Sequence, residues 1–313
     1  MAAGGNPIFN GKNFRGALQA PPPPNMMNPY GQQAPGQNGY GQTGYAQTGY
    51  AQPGQPQYGQ PQYGQQQLSA EQLQQMYSQP SAGPAQTGRM TFDDVIVKTL
   101  LCLGAVLVGA AITWFTSPGL ALGLMILGAL GGFALAMVNT FKKEPVPALI
   151  LAYAGFEGLF LGGITKVLEM RLPGIGLQAV LATLAVFGVT LLLFTSGKVR
   201  ATPKMMRFFL IAMIGYAAFS LINFFLMIFG VVKDPWGLRG MTIGGIPLGL
   251  IIGVVAVILA AFSLIMDFTN IEAGVHNGAP ARYSWTAAFG LTVTLVWLYV
   301  ELLRLIAILR GND

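Results

Sequence analysis

Between Thr99 and Phe141 the chain carries no acid or base except the thiol of Cys102. Such a run cannot face water, and it is about twice the length of one bilayer crossing, which takes roughly 20 residues. Ser117-Pro118-Gly119 interrupts it, so the pattern predicts two membrane helices, at 94–116 and 119–141, joined by a tight turn. Inside lipid only helices and closed barrels satisfy every backbone group, and no run here alternates with the period of two that a barrel strand needs.

Five further apolar runs follow the same logic. They predict a third helix at 146–169, opened by Pro145 and Pro147, and a fourth at 174–195, between Pro173-Gly174 and Ser196-Gly197. A fifth is expected at 204–231, beginning at Pro203, and a sixth at 244–270. The seventh begins between Ser284 and Phe289 and ends near Leu309. With 53% hydrophobic and only 9% charged residues, the chain cannot cover a water-facing surface; soluble domains carry about a quarter of their residues charged. The expected fold class is an all-α integral membrane protein, a seven-helix transmembrane bundle over residues 89–313.

Residues 1–88 are different. Their only charges are Lys12, Arg15 and Glu71, and tyrosines recur every five residues at Tyr40, Tyr45 and Tyr50 among Gly, Gln and Pro. A segment so poor in apolar residues cannot offset its ordering entropy, so it is expected to be a disordered tail, with partner binding as its sharper reading. Its opening, MAAGGNPIFNGKNFRG, has no apolar run of the length a secretory signal needs. The first membrane helix is therefore expected to direct insertion. Thr91 is placed to cap that helix, with Asp93 and Asp94 in the first turn, where the dipole favours anions.

The net charge of +6 does not signal nucleic acid, because the cations sit in short loops beside apolar runs. Arg89, Lys98, Lys142, Lys143, Lys198, Arg200, Lys204, Arg207 and Arg282 fall on the side of the tail. Lys166, Arg171, Lys233, Arg239 and Arg310 fall on the other. This bias predicts a cytoplasmic N-terminus, an outside C-terminus and contacts with lipid headgroups. Trp236 and Trp285 are expected at the interfaces. One cysteine and one histidine, His276, exclude a Cys/His metal cluster and a Ser-His-Asp triad, and no GxSxG elbow occurs. The seventh helix lacks a lysine for a retinal Schiff base. No enzyme activity and no resident cofactor are expected.

Three acids fall inside the spans: Glu157, Asp267 and Glu301. A carboxylate in a bilayer is costly, so such residues face the protein interior, pair with something, and mark pathways for ions or protons. Glu157 lies among Ala154, Gly155, Gly158, Gly162 and Gly163, which allow close helix approach. Asp267 falls near the tail-side end of the sixth helix, in the span or already among headgroups. Thr294, Trp297, Glu301 and Arg304 share one face of the seventh helix, and Arg304 is spaced to pair with Glu301. A weaker stripe, Tyr216, Ser220 and Asn223, marks the fifth helix and reads as helix-to-helix glue. Two carboxyls close together in low dielectric cannot both ionise cheaply, so a pair of them can sense pH, and their oxygens also suit a hard cation such as calcium.

The segments MDFTNIEAG, LYVELLRLIAILR and FEGLFLGG resemble the Bax inhibitor-1/YccA family of membrane proteins. The opening NPIF and the stretch RMTFDDVIVKT are similar to a bacterial branch of it, which implies a bacterial plasma membrane. The resemblance covers about 88–310. It implies a seven-helix bundle with helix seven central and a pH-sensitive calcium leak, the ion being cargo rather than cofactor. It also implies that an acid late in helix six and an acid in helix seven form the proton sensor and touch the ion. The matching positions are Asp267 and Glu301, with Glu157 matching a helix-three acid. Here the two acids stand 34 residues apart, longer than the family pattern, with the excess in EAGVHNGAPARYSWTAAFG. A second activity seen in the family is that of a non-conducting regulator bound to other membrane proteins, such as a quality-control protease.

Overall fold

The computed structural model describes residues 88–234 and 236–311. The expected disordered tail lies outside them except for Gly88. Among the described residues seven helices, each long and apolar enough to cross a membrane, follow one another: α1 Phe92–Phe115, α2 Pro118–Phe141, α3 Pro147–Glu169, α4 Ile175–Thr195, α5 Pro203–Ile228, α6 Leu248–His276 and α7 Ser284–Arg310. The fold is the expected all-α bundle.

Local chemistry sets the ends. Thr91 caps α1 by accepting the Asp94 amide at 3.2 Å. Thr202 does the same for α5 through the Met205 amide at 3.3 Å, and Pro203 follows at the first helical position. Lys166 donates to the carbonyls of Trp114, at 2.9 Å, and Thr116 at the C-terminal end of α1. A cation there complements the helix dipole.

The sixth helix departs from its expected range at both ends. Residues expected to open it form a two-residue antiparallel hairpin instead, β1 Thr242–Ile243 with β2 Ile246–Pro247. Its turn residues, Gly244 and Gly245, have φ of 60° and 84°, which only glycine adopts freely, and Pro247 then starts α6 afresh. At the other end α6 runs on to His276. The long α6–α7 connection is therefore partly helix. The rest, with a 3-10 turn at Ala281–Tyr283, pairs with the chain ahead of α1 through Met90 N to Ala279 O at 2.7 Å and Ala281 N to Gly88 O at 2.9 Å.

α7 lies at the centre and packs on α6, α1, α4 and α3. Its Ala287, Ala288, Leu298 and Leu303 are essentially unexposed. The α1–α3–α2 side is closed by small residues. A Cβ on Gly158 would strike the Val106 carbonyl, one on Gly162 the Ala110 carbonyl, and one on Gly128 the Phe160 nitrogen at 2.5 Å. Close backbone approach is how helices gain dispersion contact in lipid, where water supplies no drive for association. α5 is the opposite case. Only Met206, Phe209 and Asn223 are buried on it, and it packs on α6 and the α5–α6 loop.

These packing modes separate in mutation. Gly158→Ala should lower thermal stability in detergent by about 1–3 kcal/mol, the usual cost of overpacking. Gly155→Ala meets nothing within 4 Å and should leave the melting curve unchanged or slightly raised. Equal melting of the two variants would remove the close-packing account.

Candidate functional site

The polar residues of α7 divide between two neighbours. Thr294 faces α6, where its hydroxyl donates to Asp267 Oδ2 at 2.6 Å and lies 3.4 Å from the Ser263 hydroxyl. Asp267 is 0% exposed, so it faces the bundle interior. One turn nearer the tail on the same helix, the Asn270 side-chain nitrogen is buried without a hydrogen-bond acceptor. Ser263, Asp267 and Asn270 recur at helical spacing and make a polar strip along an otherwise apolar α6.

Two turns beyond Thr294, Glu301 sits in a second polar cluster and is 1% exposed. Arg304, the partner expected from spacing, donates Nη1 to both carboxylate oxygens at 2.9 and 3.0 Å. The Tyr216 hydroxyl of α5 donates to Oε1. Arg239 approaches from the α5–α6 loop, its Nη1 3.7 Å from Oε2. It is itself 4% exposed, and its Nη2 donates to Tyr216 at 3.1 Å and Ser220 at 2.9 Å. Its guanidinium also lies 5.4 Å from the Tyr216 ring centre. Such pairing is what allows a charge to stay away from water.

Glu157 joins neither cluster. It lies between α3 and α2, where its Oε1 is 3.0 Å from the place a Cβ on Gly132 would take, and it remains half-buried. Tyr153, one turn earlier, is its hydrogen-bonding neighbour and packs edge-on against Phe289 of α7 at 4.9 Å.

Residues 28–311 match the family model described as Bax inhibitor 1 like. The chain belongs to the Bax inhibitor 1-like family. The match extends into the segment before α1, beyond the range the motifs cover. No curated protein matches the sequence.

The family resemblance pairs Asp267 with Glu301, and in this Bax inhibitor 1-like protein the geometry is different. Asp267 is bonded at the level of Thr294, and seven residues of helix put Glu301 about 10 Å further along α7. The two carboxyls do not meet, so they cannot ligate one calcium ion together, whose oxygen ligands stand about 2.4 Å from the metal. Among the described residues no group of three or more His, Cys, Asp or Glu could hold a metal ion. The long separation in sequence carries this outcome: α7 starts at Ser284, so Glu301 lies in its far half, while Asp267 lies in the tail-side half of α6.

Arg239 is the site residue that sequence reasoning missed. In GLRG, between two glycines of a loop, it reads as a topology charge. The signal pointing to it was the Tyr216, Ser220 and Asn223 stripe, a row of polar side chains on a helix otherwise facing lipid. That stripe binds both the loop, through Arg239, Leu238 and Trp236, and α7, through the Tyr216–Glu301 bond.

Removing the Glu301 charge leaves Arg239 buried and uncompensated. Glu301→Gln should therefore destabilise by about 3 kcal/mol, and Asp267→Asn, which keeps an acceptor for Thr294, by about 1 kcal/mol. Thermal melts of the purified variants in detergent give the order. A Glu301→Gln protein as stable as wild type would show the ion-pair cluster to be energetically idle.

Proposed function

We propose that the protein is a pH-sensitive leak for small cations, calcium first among them, in a bacterial plasma membrane with its N-terminus cytoplasmic. Asp267 carries this reading: a carboxyl with no exposed surface, in the core of a membrane bundle, bonded across α6–α7 to Thr294. Ionised Asp267 favours any arrangement that admits water or a cation, and protonated Asp267 favours the dry, hydrogen-bonded one. Proton and cation thus compete for one site. The buried, unpaired amide of Asn270 extends the polar track toward the tail side.

The sign follows directly. Flux should rise as pH increases and Asp267 loses its proton, and it should follow a single-proton curve because Glu301 does not share the site. Calcium uptake by proteoliposomes measures this. Asp267→Asn should remove most of the pH response. The leak reading fails if Asp267→Asn combined with Glu301→Gln leaves both flux and pH response as in wild type.

A second reading, a non-conducting regulator that binds membrane proteins such as a quality-control protease, draws support from α5. That helix offers Phe208, Ile211, Ile214, Leu221 and Phe224 outward and buries little of itself. On that reading deletion of residues 1–88 abolishes the cellular phenotype and leaves any calcium flux intact.

A further inference from the structure

The loop between α5 and α6 turns back into the bundle and carries a cation to its most buried glutamate. We infer that Arg239 is a tethered counter-cation: its guanidinium takes the place at Glu301 that a permeating cation would take, and so holds the loop closed over the far end of the path between α5, α6 and α7. This inference rests on the leak reading and adds to it a closing residue that is separate from Asp267.

Four observations bear on it. First, the loop is seated by specific bonds. The Asn223 side-chain oxygen accepts the Leu238 amide at 2.6 Å, and its nitrogen donates to the Trp236 carbonyl at 3.5 Å. Second, the loop backbone fits only because it is glycine there. Gly237 has φ of 64°, and a Cβ on it would strike the Asn223 side chain; one on Gly240 would strike the Asp234 carboxylate. Third, the loop sits on the start of α6: a Cβ on Gly249 would come within 2.9 Å of the Arg239 carbonyl.

The fourth observation separates a latch from a permanent strut. The hydrogen bonds to Glu301 come from Arg304 and Tyr216. Arg239 Nη1 stands at 3.7 Å and has no hydrogen-bond acceptor although it is buried. The Arg239–Glu301 attraction is therefore purely coulombic, with no directional bond to lock it. An ion pair of that kind can be displaced by another cation in a way that a bidentate, hydrogen-bonded pair cannot. α5, the loop's support, is also the helix that buries the smallest share of its membrane span, 11%, which makes it the cheapest element to move.

Two measurements on the full-length chain test this. In calcium-loaded proteoliposomes at fixed pH, Arg239→Gln should raise the leak about tenfold, the population shift that losing roughly 1.4 kcal/mol of closed-state stabilisation brings. Ser220→Ala, which removes one hydrogen bond and no charge, should raise it less and in the same direction. In a Glu301→Gln background, where Arg239 has already lost its counter-charge, Arg239→Gln should raise the leak no further. The second measurement needs no flux. With Cys102→Ala and Leu238→Cys, a membrane-impermeant maleimide should label the loop faster once Arg239→Gln is added. A leak unchanged by both Arg239→Gln and Ser220→Ala, in protein that conducts, overturns the closing role. Unchanged labelling overturns the latch even if Arg239→Gln proves too unstable to reconstitute. If no preparation conducts, the leak reading falls and takes the closing role with it, whereas faster labelling would still establish Arg239 as the loop's tether.

Discussion

Charge that cannot reach water must be answered by the chain itself, and the far half of this bundle is organised around that requirement. Glu301 on the central helix draws Arg304 from its own turn, Tyr216 from α5 and Arg239 from a loop that would otherwise lie in the headgroups. One carboxylate thereby fixes the orientation of α5, the path of the α5–α6 loop and the rotation of α7. Apolar side chains could not do this, because in lipid a leucine gains little by facing protein rather than an acyl chain.

The two sides of the bundle are held by different forces. On the α1–α2–α3 side, glycines at 109, 128, 158 and 162 bring backbones into contact, and the joint has no freedom to slide without a clash. On the α5–α6–α7 side, polar groups bridge larger gaps: Tyr216, Ser220 and Asn223 reach for a loop, and Thr294 reaches for Asp267. Close-packed contact is short-ranged and rigid, whereas hydrogen bonds and ion pairs have partners that can be exchanged for water or ions. Motion therefore belongs to the second side, where both interior carboxyls of α6 and α7 lie.

Most of the fold could be read from the sequence. Helix length is dictated by bilayer thickness, and breaks such as Ser117-Pro118-Gly119 and Pro203 interrupt the apolar runs where the helices end or begin. The Thr91 cap and the Glu301–Arg304 pair are local, within three residues, and so were legible as well. The start of α6 was missed because hydropathy is blind to backbone sign: Gly244 and Gly245 are as apolar as their neighbours but adopt positive φ. Register between helices was not legible either. Which residue of α7 faces Asp267 depends on how far α6 continues and where α7 starts. The extension to His276 and the docking of the connection on Met90 decided for Thr294. Arg239 was hidden for a related reason: a loop of unknown path can bring its charge outward or inward, and composition does not distinguish the two.

Thr294 opposite Asp267 alters what a proton can do here. Two facing carboxyls share a proton and repel when both are charged, so their opening force is mutual repulsion. A carboxyl facing a hydroxyl has no such repulsion, and its ionised form is costly wherever water is kept out. On the leak reading, the drive to open would then come from hydration or from the cation itself, and its strength would depend on how readily α6 and α7 let either in. The tail-side half of the bundle thus holds a carboxyl bonded to a hydroxyl. The far half holds one with two guanidiniums gathered on a single glutamate. On the leak reading, a cation crossing from one to the other would move from a hydroxyl-bonded carboxyl to one already held by guanidiniums, and the loop bearing Arg239 is the part of that second place proposed to leave.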